Sequence, residues 1–446
     1  MIRWLYWIYQ AISTATHWLA RRLTPAGRIV VLGILLTTFL GADLERATSP
    51  RMLLLGAILL LVAAGFSPFF QAKFEVDRHL PRVASLGEPV SYCVRVVNHS
   101  SRNLTGLEVL EEITREPLSY ASFAARLRPS DGTRHLRLAA SSDNLRRCRV
   151  EPAVVPRLNR GDAVAVHLSL IPRRRGLLHF GAIGIARTDP CGLFRSVIRV
   201  VAPQTLIVLP RRYRMPVLEL PGAPKYQPGG VALASRVGES EEFLGLREYR
   251  AGDSLRHIHW RSWARAGAPV TKEYQDECFT RHALILDSYT TPDNAEVFEE
   301  AVSVAASVAA QTHAADSLLD LMFTGDRAYR ITAGRGLAPV SHILEILAAV
   351  PLATDPSFVC LHRLVLDHAH ELQGAVCVLV AWDDARRQLV EQLMARGVVV
   401  RIFLILPQAA GPSEPPSAPR GVAGFHVLTT GRVREDLARI PNSSDP

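Results

Sequence analysis

Long uncharged runs near the N-terminus contrast with short alternating runs in the rest of the chain. Residues 52–72 contain no charged side chain and lie between Arg51 and Lys73. Such a run, at about 1.5 Å per helical residue, is long enough to cross a hydrocarbon core of about 30 Å. A second uncharged run, residues 29–42, is shorter. It lies between Arg28 and Asp43, whose charged side chains can reach the membrane–water interface. The two runs predict a transmembrane helical hairpin over residues 25–72.

Positive charge is distributed unevenly around these runs. Only Arg46 and Arg51 lie between them, whereas four arginines precede the first: Arg3, Arg21, Arg22 and Arg28. Under the positive-inside rule this predicts a multi-pass protein of the inner (cytoplasmic) membrane, with the lipid bilayer as a partner and the soluble domains in the cytoplasm. A cleaved signal peptide ending near "FLGA" would leave the bulk of the chain on the same side. Residues 1–24 are rich in tryptophan and tyrosine, which fits an amphipathic interfacial segment or a plain helical extension.

Residues 73–210 follow a different pattern. Runs such as "PVSYCVRVVN" and "AVAVHLSLIP" alternate between apolar and polar positions and are separated by clusters of Gly, Asn, Asp and Pro. Alternation with period two is typical of half-buried strands, so this region predicts an all-β, sandwich-like domain. Residues 211–236, which include "PGAPKYQPGGVA", predict a linker because proline and glycine disfavour regular structure.

Residues 277–446 alternate between apolar, strand-like runs and helix-like runs. The strand-like runs include "RHALILDSYT", "AVCVLVAW" and "GVVVRIFLIL". Strands that alternate with helices are typical of a doubly wound α/β domain with a parallel sheet. The predicted fold class is therefore multidomain, with a transmembrane hairpin, an all-β middle domain and a C-terminal α/β domain.

The densest mixture of aromatic and charged side chains lies in residues 237–276, here called the signature segment. Asp253 precedes a helix-compatible run, so it is the predicted N-cap of a helix over residues 254–265. His257 and His259 are two positions apart, about 200° around such a helix, and cannot bind the same metal ion.

Arginine binds carboxylates through two parallel hydrogen bonds, which predicts an ion-pair network in this segment. Its candidate members are Arg247, Arg256, Arg265, Glu242, Glu248 and Glu273. We interpret the network as structural or docking, at a seam between the β-rich and α/β domains with an exposed edge for a partner. The catalytic alternative uses Glu248 or His259 as a base. Against it, the chain has no nucleophile elbow, Walker A lysine or His-Glu-x-x-His motif.

Composition narrows the functional classes. The chain has 446 residues and a formal charge of +9, and almost all of its cations are arginines. This bias does not indicate nucleic-acid binding by itself, and no nucleic-acid partner is expected. The six cysteines lie far apart, without the spacing of a zinc site, so they predict reduced thiols.

The string "FLGLREYRAGDSLRHIHWRSWARAG", with "VTKEY" after it, resembles the signature of the domain-of-unknown-function 58 family (DUF58). "DPCGLFR" is similar to that family's Asp-Pro-Phe-Gly-Leu-Phe turn, with Cys191 in place of Phe. His259 stands where many members carry Asp, so a carboxylate role does not transfer to it. The signature residues, expected to form a partner-binding network, are Glu242, Gly245, Arg247, Glu248, Tyr249, Gly252, Asp253, Arg256, His259, Trp260, Arg265, Lys272 and Glu273.

The resemblance also implies that the C-terminal domain is similar to von Willebrand factor type A domains, which often bind a divalent cation at the carboxyl ends of their strands. The corresponding residues here are Asp287, Thr291 and Asp383, with Mg as the implied ion. The motif is incomplete because Tyr289 replaces a serine and the middle threonine is missing. A strand-end turn with capping aspartates is the alternative.

The function that the resemblance implies is a non-enzymatic, membrane-anchored cytoplasmic scaffold or adaptor. Its expected partner is a MoxR-type AAA+ ATPase, bound through the type A-like domain and the signature segment. The alternative is an enzyme of unknown reaction, with hydrolysis as one option, that uses Glu248, Asp253 and His259. That alternative requires the three side chains to converge on one open pocket.

Overall fold

The structure is a computed structural model, and the chain divides into two compact units, residues 1–209 and 210–446. It describes residues 4, 7, 18–19, 21–40, 48–66, 69–113, 148–216, 243–250, 252–274, 280–290, 294–311, 317–334, 339–353, 358–408 and 417–440.

Two helices, α1 (Pro25–Leu40) and α2 (Thr48–Gly65), occupy the predicted hairpin region. They have 16 and 18 residues, which correspond to about 24 and 27 Å of helix, short of the roughly 30 Å hydrocarbon core. The uncharged run 52–72 is not one helix, because α2 includes Arg51 and ends at Gly65.

Within the part of the chain that the structure describes, no helix is both long and apolar enough to cross a membrane. The predicted transmembrane hairpin is therefore wrong, and so is the predicted multi-pass location in the inner membrane. The lipid bilayer as a partner stays a prediction.

The described residues of 73–210 form two sheets. The first has the order β1-β3-β7-β5 and is antiparallel, and the second has the order β2-β9-β8-β4-β6, in which β2 and β9 are parallel. The second sheet is thus mixed. The strands are β1 (Phe74–His79), β2 (Val83–Ser85), β3 (Val90–Asn98), β4 (Leu107–Ile113), β5 (Cys148–Val150), β6 (Ala153–Val155), β7 (Ala163–Pro172), β8 (Gly176–Thr188) and β9 (Arg195–Leu209).

One hydrophobic core contains side chains from both of these sheets. Val94 and Leu168 come from the first sheet, and Ile183 and Leu206 from the second, and all four are buried. The burial of β7 alternates along the strand, as the sequence pattern "AVAVHLSLIP" requires.

The turn "DPCGLFR" contacts the start of α1. The Asp189 carboxylate accepts hydrogen bonds from the backbone N–H groups of Leu193 and Phe194 at 2.8 and 2.6 Å, and Gly192 has φ 71°. The Thr24 hydroxyl donates to the Gly192 carbonyl at 2.6 Å. A Cβ on Gly27 would lie 2.2 Å from the Leu193 carbonyl oxygen, so only glycine allows this approach.

The second unit contains a six-stranded sheet with the order β14-β13-β12-β15-β16-β17. Its strands are β12 (Thr280–Leu286), β13 (Ser317–Thr324), β14 (Ala328–Gly334), β15 (Gly374–Leu379), β16 (Val399–Leu406) and β17 (Gly424–Thr429). The prediction of a parallel sheet is wrong at one edge, because β13 and β14 are antiparallel. A tight turn closed by the Gly325 N–H and the Arg327 carbonyl joins them, whereas a parallel pair needs a long crossover.

The helices of this unit are α4 (Ala295–Gln311), α5 (Val340–Ala349), α6 (Val359–His368), α7 (Asp384–Ala395) and α8 (Val433–Ala438), and the short α3 (Trp260–Ala266) precedes them. The core around β15 and β16 includes Cys377, Leu379, Ile402 and Leu404, all fully buried. Burial raises the pKa of the Cys377 thiol to about 12, so this cysteine is an inert core residue.

Candidate functional site

The described part of the signature segment is built on a two-stranded hairpin. β10 (Phe243–Glu248) pairs antiparallel with β11 (Val270–Tyr274), and Arg247 lies opposite Thr271. Ile258 adds an isolated bridge to Thr271, and both side chains are buried. The loop between the strands is therefore folded back against β11.

Arg247 and Asp253 close this loop with a two-pronged ion pair. The two guanidinium nitrogens lie 2.7 and 2.8 Å from the two carboxylate oxygens of Asp253, which also accepts the Arg250 N–H at 2.8 Å. The Arg247 guanidinium and the Arg250 N–H lower the pKa of Asp253 to about 2. Gly252, at φ 112°, supplies the turn that brings Asp253 back to β10.

The predicted helix over 254–265 is wrong in its first half, and Asp253 is not its N-cap. A short 3-10 turn covers Leu255–His257, and α3 begins only at Trp260. Ile258 is extended at ψ 127° and the His259 N–H donates to the Val270 carbonyl at 2.8 Å, so the pairing with β11 interrupts the helix. The carboxylate of Asp253 is engaged by Arg247.

The three proposed catalytic side chains do not form one group. Neighbouring residues of a strand point to opposite faces, so Glu248 and the Arg247–Asp253 pair lie on different faces of the hairpin. The His259 Nδ1 shares a hydrogen bond of 2.7 Å with the Ser262 hydroxyl. Glu248 is exposed to solvent.

The predicted arginine–glutamate network is observed in a different form. Arg247 pairs with an aspartate, and Arg256 and Arg265 are exposed. Glu242 and the side chain of Glu273 lie outside the described residues, so their part in the network stays a prediction. Three other signature residues belong to the hairpin. Gly245 adjoins a register irregularity in β10, and Lys272 lies opposite Leu246. The Tyr249 N–H donates a hydrogen bond to the Pro269 carbonyl at 2.9 Å.

An aromatic pair of one exposed and one half-buried tryptophan lies on α3. The rings of Trp260 and Trp263 stack with centroids 5.3 Å apart, and Trp260 is 65% exposed. Leu255 and Leu246 are also exposed. We call Leu255, Trp260 and Trp263, with the exposed Arg250, Arg256, Arg261 and Arg265, the tryptophan–arginine surface. Trp263 was not selected from the sequence, although two tryptophans three positions apart predict contact on a helix.

The predicted metal-binding aspartates do come together, but an arginine lies between them. Asp287 follows β12 and is fully buried. Its carboxylate accepts a hydrogen bond of 2.6 Å from the Arg386 Nε. Asp383 is the N-cap of α7, accepts the Arg386 N–H at 3.0 Å, and also binds the Arg386 guanidinium. Thr291 lies outside the described residues, and its role stays a prediction.

The surroundings of Asp287 complete an ion-pair site. Its Oδ1 accepts the Tyr289 N–H at 3.0 Å, and its Oδ2 accepts the Val380 N–H at 3.2 Å. Burial raises the pKa of Asp287, while Arg386 and the two N–H groups oppose that rise. Among the described residues, no group of three or more His, Cys, Asp or Glu side chains is arranged to hold a metal ion. The Arg386 guanidinium occupies carboxylate oxygens of Asp287 and Asp383 that a magnesium ion would need, so the described residues do not fit a magnesium site.

The sequence reasoning missed a second charged network in the α/β unit. Arg330 lies 2.8 Å from Asp320 and 2.5 Å from Glu371, and Arg281 contacts both acids. The Thr332 hydroxyl donates to Asp320 at 2.6 Å. The sequence did contain a signal for this network. Asp320 interrupts the apolar strand "SLLDLMFT", and a charged side chain buried in a strand needs a partner of opposite charge.

Comparison with known proteins finds a family match for part of the chain. Residues 245–402 match the family described as "Protein of unknown function DUF58". The DUF58 resemblance is thus confirmed for about a third of the chain, the part that holds the hairpin, Asp287 and Arg386. A relative, "Uncharacterized protein YeaD" of Bacillus subtilis (strain 168), is 28% identical over 159 residues, which are 35% of this chain and 37% of that protein. The chain thus matches little more than a third of the relative's length.

Solved structures give only distant likenesses. The CARDB domain of PF1109 from Pyrococcus furiosus, in complex with di-metal ions, is 12% identical, with 31% of this chain and 89% of that chain covered and a TM-score of 0.18. PapD-like domain 7 of human CEP192 is 12% identical, with 31% of this chain and 86% of that chain covered and a TM-score of 0.16. These scores are too low to support an argument about fold or function.

Proposed function

We propose that this protein is a scaffold or adaptor that binds a protein partner through its tryptophan–arginine surface. The observation that carries the proposal is Trp260, a large aromatic side chain that is 65% exposed in a segment that also has exposed arginines. Tryptophan and arginine are the residue types most enriched at the energetic centres of protein interfaces. The Arg247–Asp253 pair closes the hairpin from which this surface extends.

The charge of this surface favours an acidic partner. Arg250, Arg256, Arg261 and Arg265 are exposed, whereas the negative charge of Asp253 is balanced by Arg247. Complementary charge accelerates association and selects among partners. We propose an acidic face of a MoxR-type AAA+ ATPase as the partner, the class that the DUF58 resemblance implies.

The α/β unit is proposed to be similar to von Willebrand factor type A domains. In support, the sheet has parallel strands at its centre, and Asp287 follows β12 at the carboxyl end, where ligands of such sheets bind. This domain would supply a second contact with the same partner.

An enzyme centred on the signature segment is the alternative function. It has less support, because Asp253 is engaged by Arg247 and Glu248 lies on the opposite face of the hairpin. The hydrogen bond between His259 and Ser262 would be its starting point, since a base beside a hydroxyl is one element of nucleophilic catalysis.

The test is direct binding of the purified full chain to the purified MoxR-type ATPase encoded in the same genome, by isothermal titration calorimetry. Trp260→Ala is expected to raise Kd at least about tenfold, the loss of roughly 1.4 kcal/mol or more that defines a central contact. Trp7→Ala is the matched control, because Trp7 is 66% exposed and lies outside the segment. Equal affinity of wild type and Trp260→Ala, or no binding by wild type, would overturn the proposal.

A further inference from the structure

The strand-end site of the α/β unit contains an unusual combination of groups. Asp287 extends from the end of β12 and Asp383 from the start of α7, and two carboxylates converging in this way commonly hold a divalent cation. Here the positively charged group between them belongs to the chain itself. It is the guanidinium of Arg386, whose side chain is 6% exposed.

Each nitrogen of this guanidinium has a hydrogen-bond partner. Nε donates to Asp287 at 2.6 Å, Nη1 donates to Asp383, and Nη2 donates to the Tyr289 carbonyl at 3.1 Å. The guanidinium carbon also lies 4.8 Å from the centre of the Phe358 ring, within the range of a cation–π interaction. Three side chains and one backbone carbonyl, from three segments of the chain, therefore converge on one buried cation.

Arg386 and a metal ion exclude each other at this position. Mg²⁺ requires its oxygen ligands at about 2.1 Å in a near-octahedral arrangement. The Asp287 Oδ2, the oxygen such an ion would use, already accepts two hydrogen bonds, one of them from Nε at 2.6 Å. A second cation would also lie a few ångströms from the guanidinium, where repulsion in a buried site is strong.

We propose that Arg386 is a built-in cation that takes the place of a divalent metal, so the strand-end site of this domain is independent of metal ions. Asp287 and Asp383 then serve to hold Arg386, which fixes the start of α7 against the end of β12. Ligand binding at this edge of the sheet cannot use an open metal coordination position. The inference does not depend on the proposed adaptor function.

The experiment measures Mn²⁺ binding to the purified full chain by electron paramagnetic resonance, with thermal unfolding in the presence of EDTA or millimolar Mg²⁺. Any Mn²⁺ that the wild type binds is expected to be bound equally by the Asp383→Asn variant. Neither EDTA nor Mg²⁺ is expected to change the Tm of the wild type. Asp383 suits this comparison because its carboxylate is half exposed, so its loss should leave the domain folded. Circular dichroism of the variant checks that it is folded.

A second arm tests whether Arg386 itself supplies the charge. Arg386→Ala is expected to lower Tm by at least about 6 °C, since the buried Asp287 loses its counter-charge. Arg387→Ala is the matched control, because Arg387 is the next residue of α7 and is exposed beside Asp384. A wild-type Mn²⁺ site that Asp383→Asn abolishes would overturn the inference, as would an Arg386→Ala protein with the Tm of the wild type.

Discussion

Two arginine–aspartate pairs in the second unit have similar bond lengths but very different surroundings. Arg386 lies 2.6 Å from Asp287, with side-chain exposures of 6% and 0%, whereas Arg247 lies 2.7 Å from Asp253, with exposures of 33% and 19%. Distance alone therefore does not distinguish them. The buried pair cannot be hydrated when one partner is lost, whereas water can reach either half of the more exposed Arg247–Asp253 pair.

The contrast separates the roles of the two pairs. Breaking the buried pair should cost global stability, because it leaves an uncompensated charge among α7, β12 and Phe358. Breaking the exposed pair should release a loop and alter the tryptophan–arginine surface while the sheet remains folded. Each prediction below tests one side of this contrast.

The largest effect is expected from Arg386→Met. This change should lower the free energy of unfolding by about 3–5 kcal/mol, because it removes one partner of a buried ion pair. Urea unfolding monitored by circular dichroism measures it. Asp287→Asn/Arg386→Met should recover part of the loss, since the double variant buries no unpaired charge. If the double variant loses the sum of the two single losses, the residues are not energetically coupled.

Arg247→Met is expected to have a smaller effect on stability. The effect is best measured as a change in the pKa of Asp253. The pKa of Asp253 should rise from about 2 toward its ordinary value of 3.8, because the guanidinium that favours the carboxylate is lost. Carboxyl carbon chemical shifts followed over a pH titration measure this value. Arg256→Met is the control, because Arg256 is exposed in the same loop.

The same shift fixes the direction of a pH effect. A carboxyl with a lower pKa in the folded state contributes stability above the unfolded value of 3.8, and that contribution disappears as the pH falls toward 2. The difference in stability between wild type and Arg247→Met should therefore narrow as the pH is lowered through this window. A difference that stays constant from pH 5 to pH 2 would contradict the assigned role of Asp253.

Sequence patterns predicted the features that are set by neighbouring residues. They did not predict the features that depend on contacts with residues distant in the sequence. Gly192 and the Asp189 turn follow from the sequence, because the turn is set by its own residues. The helix expected over 254–265 begins only at Trp260, because Ile258 pairs with Thr271 on another strand. No local pattern contains that information. The uncharged run 52–72 misled for a related reason, since its chemistry did not reveal that the helix ends at Gly65.

The strand-end site of the α/β unit was likewise predicted only in part. The convergence of Asp287 and Asp383 was expected from the resemblance to type A domains. Arg386 was missed because it lies 99 positions from Asp287, although its place three residues after Asp383 is a visible local signal. Resemblance to a metal-binding class directed attention to acidic and hydroxyl residues and away from a basic one.

The smallest effect on stability is expected from Trp260→Ala. Trp260 is exposed, so the change removes only its stacking on Trp263 and should alter the free energy of unfolding by about 1 kcal/mol or less. Ile258→Ala is the contrast, because Ile258 is buried against β11 and its truncation should cost about 2–5 kcal/mol. Both changes are measured by urea unfolding of the full chain.

This last comparison decides what kind of residue Trp260 is. An exposed side chain that leaves stability unchanged on removal, yet is needed for binding, serves an interface. If Trp260→Ala instead destabilises the protein as much as Ile258→Ala, the tryptophan is part of the packing of the hairpin. In that case its loss would weaken binding only indirectly, and the tryptophan–arginine surface could not be assigned as the contact with the partner.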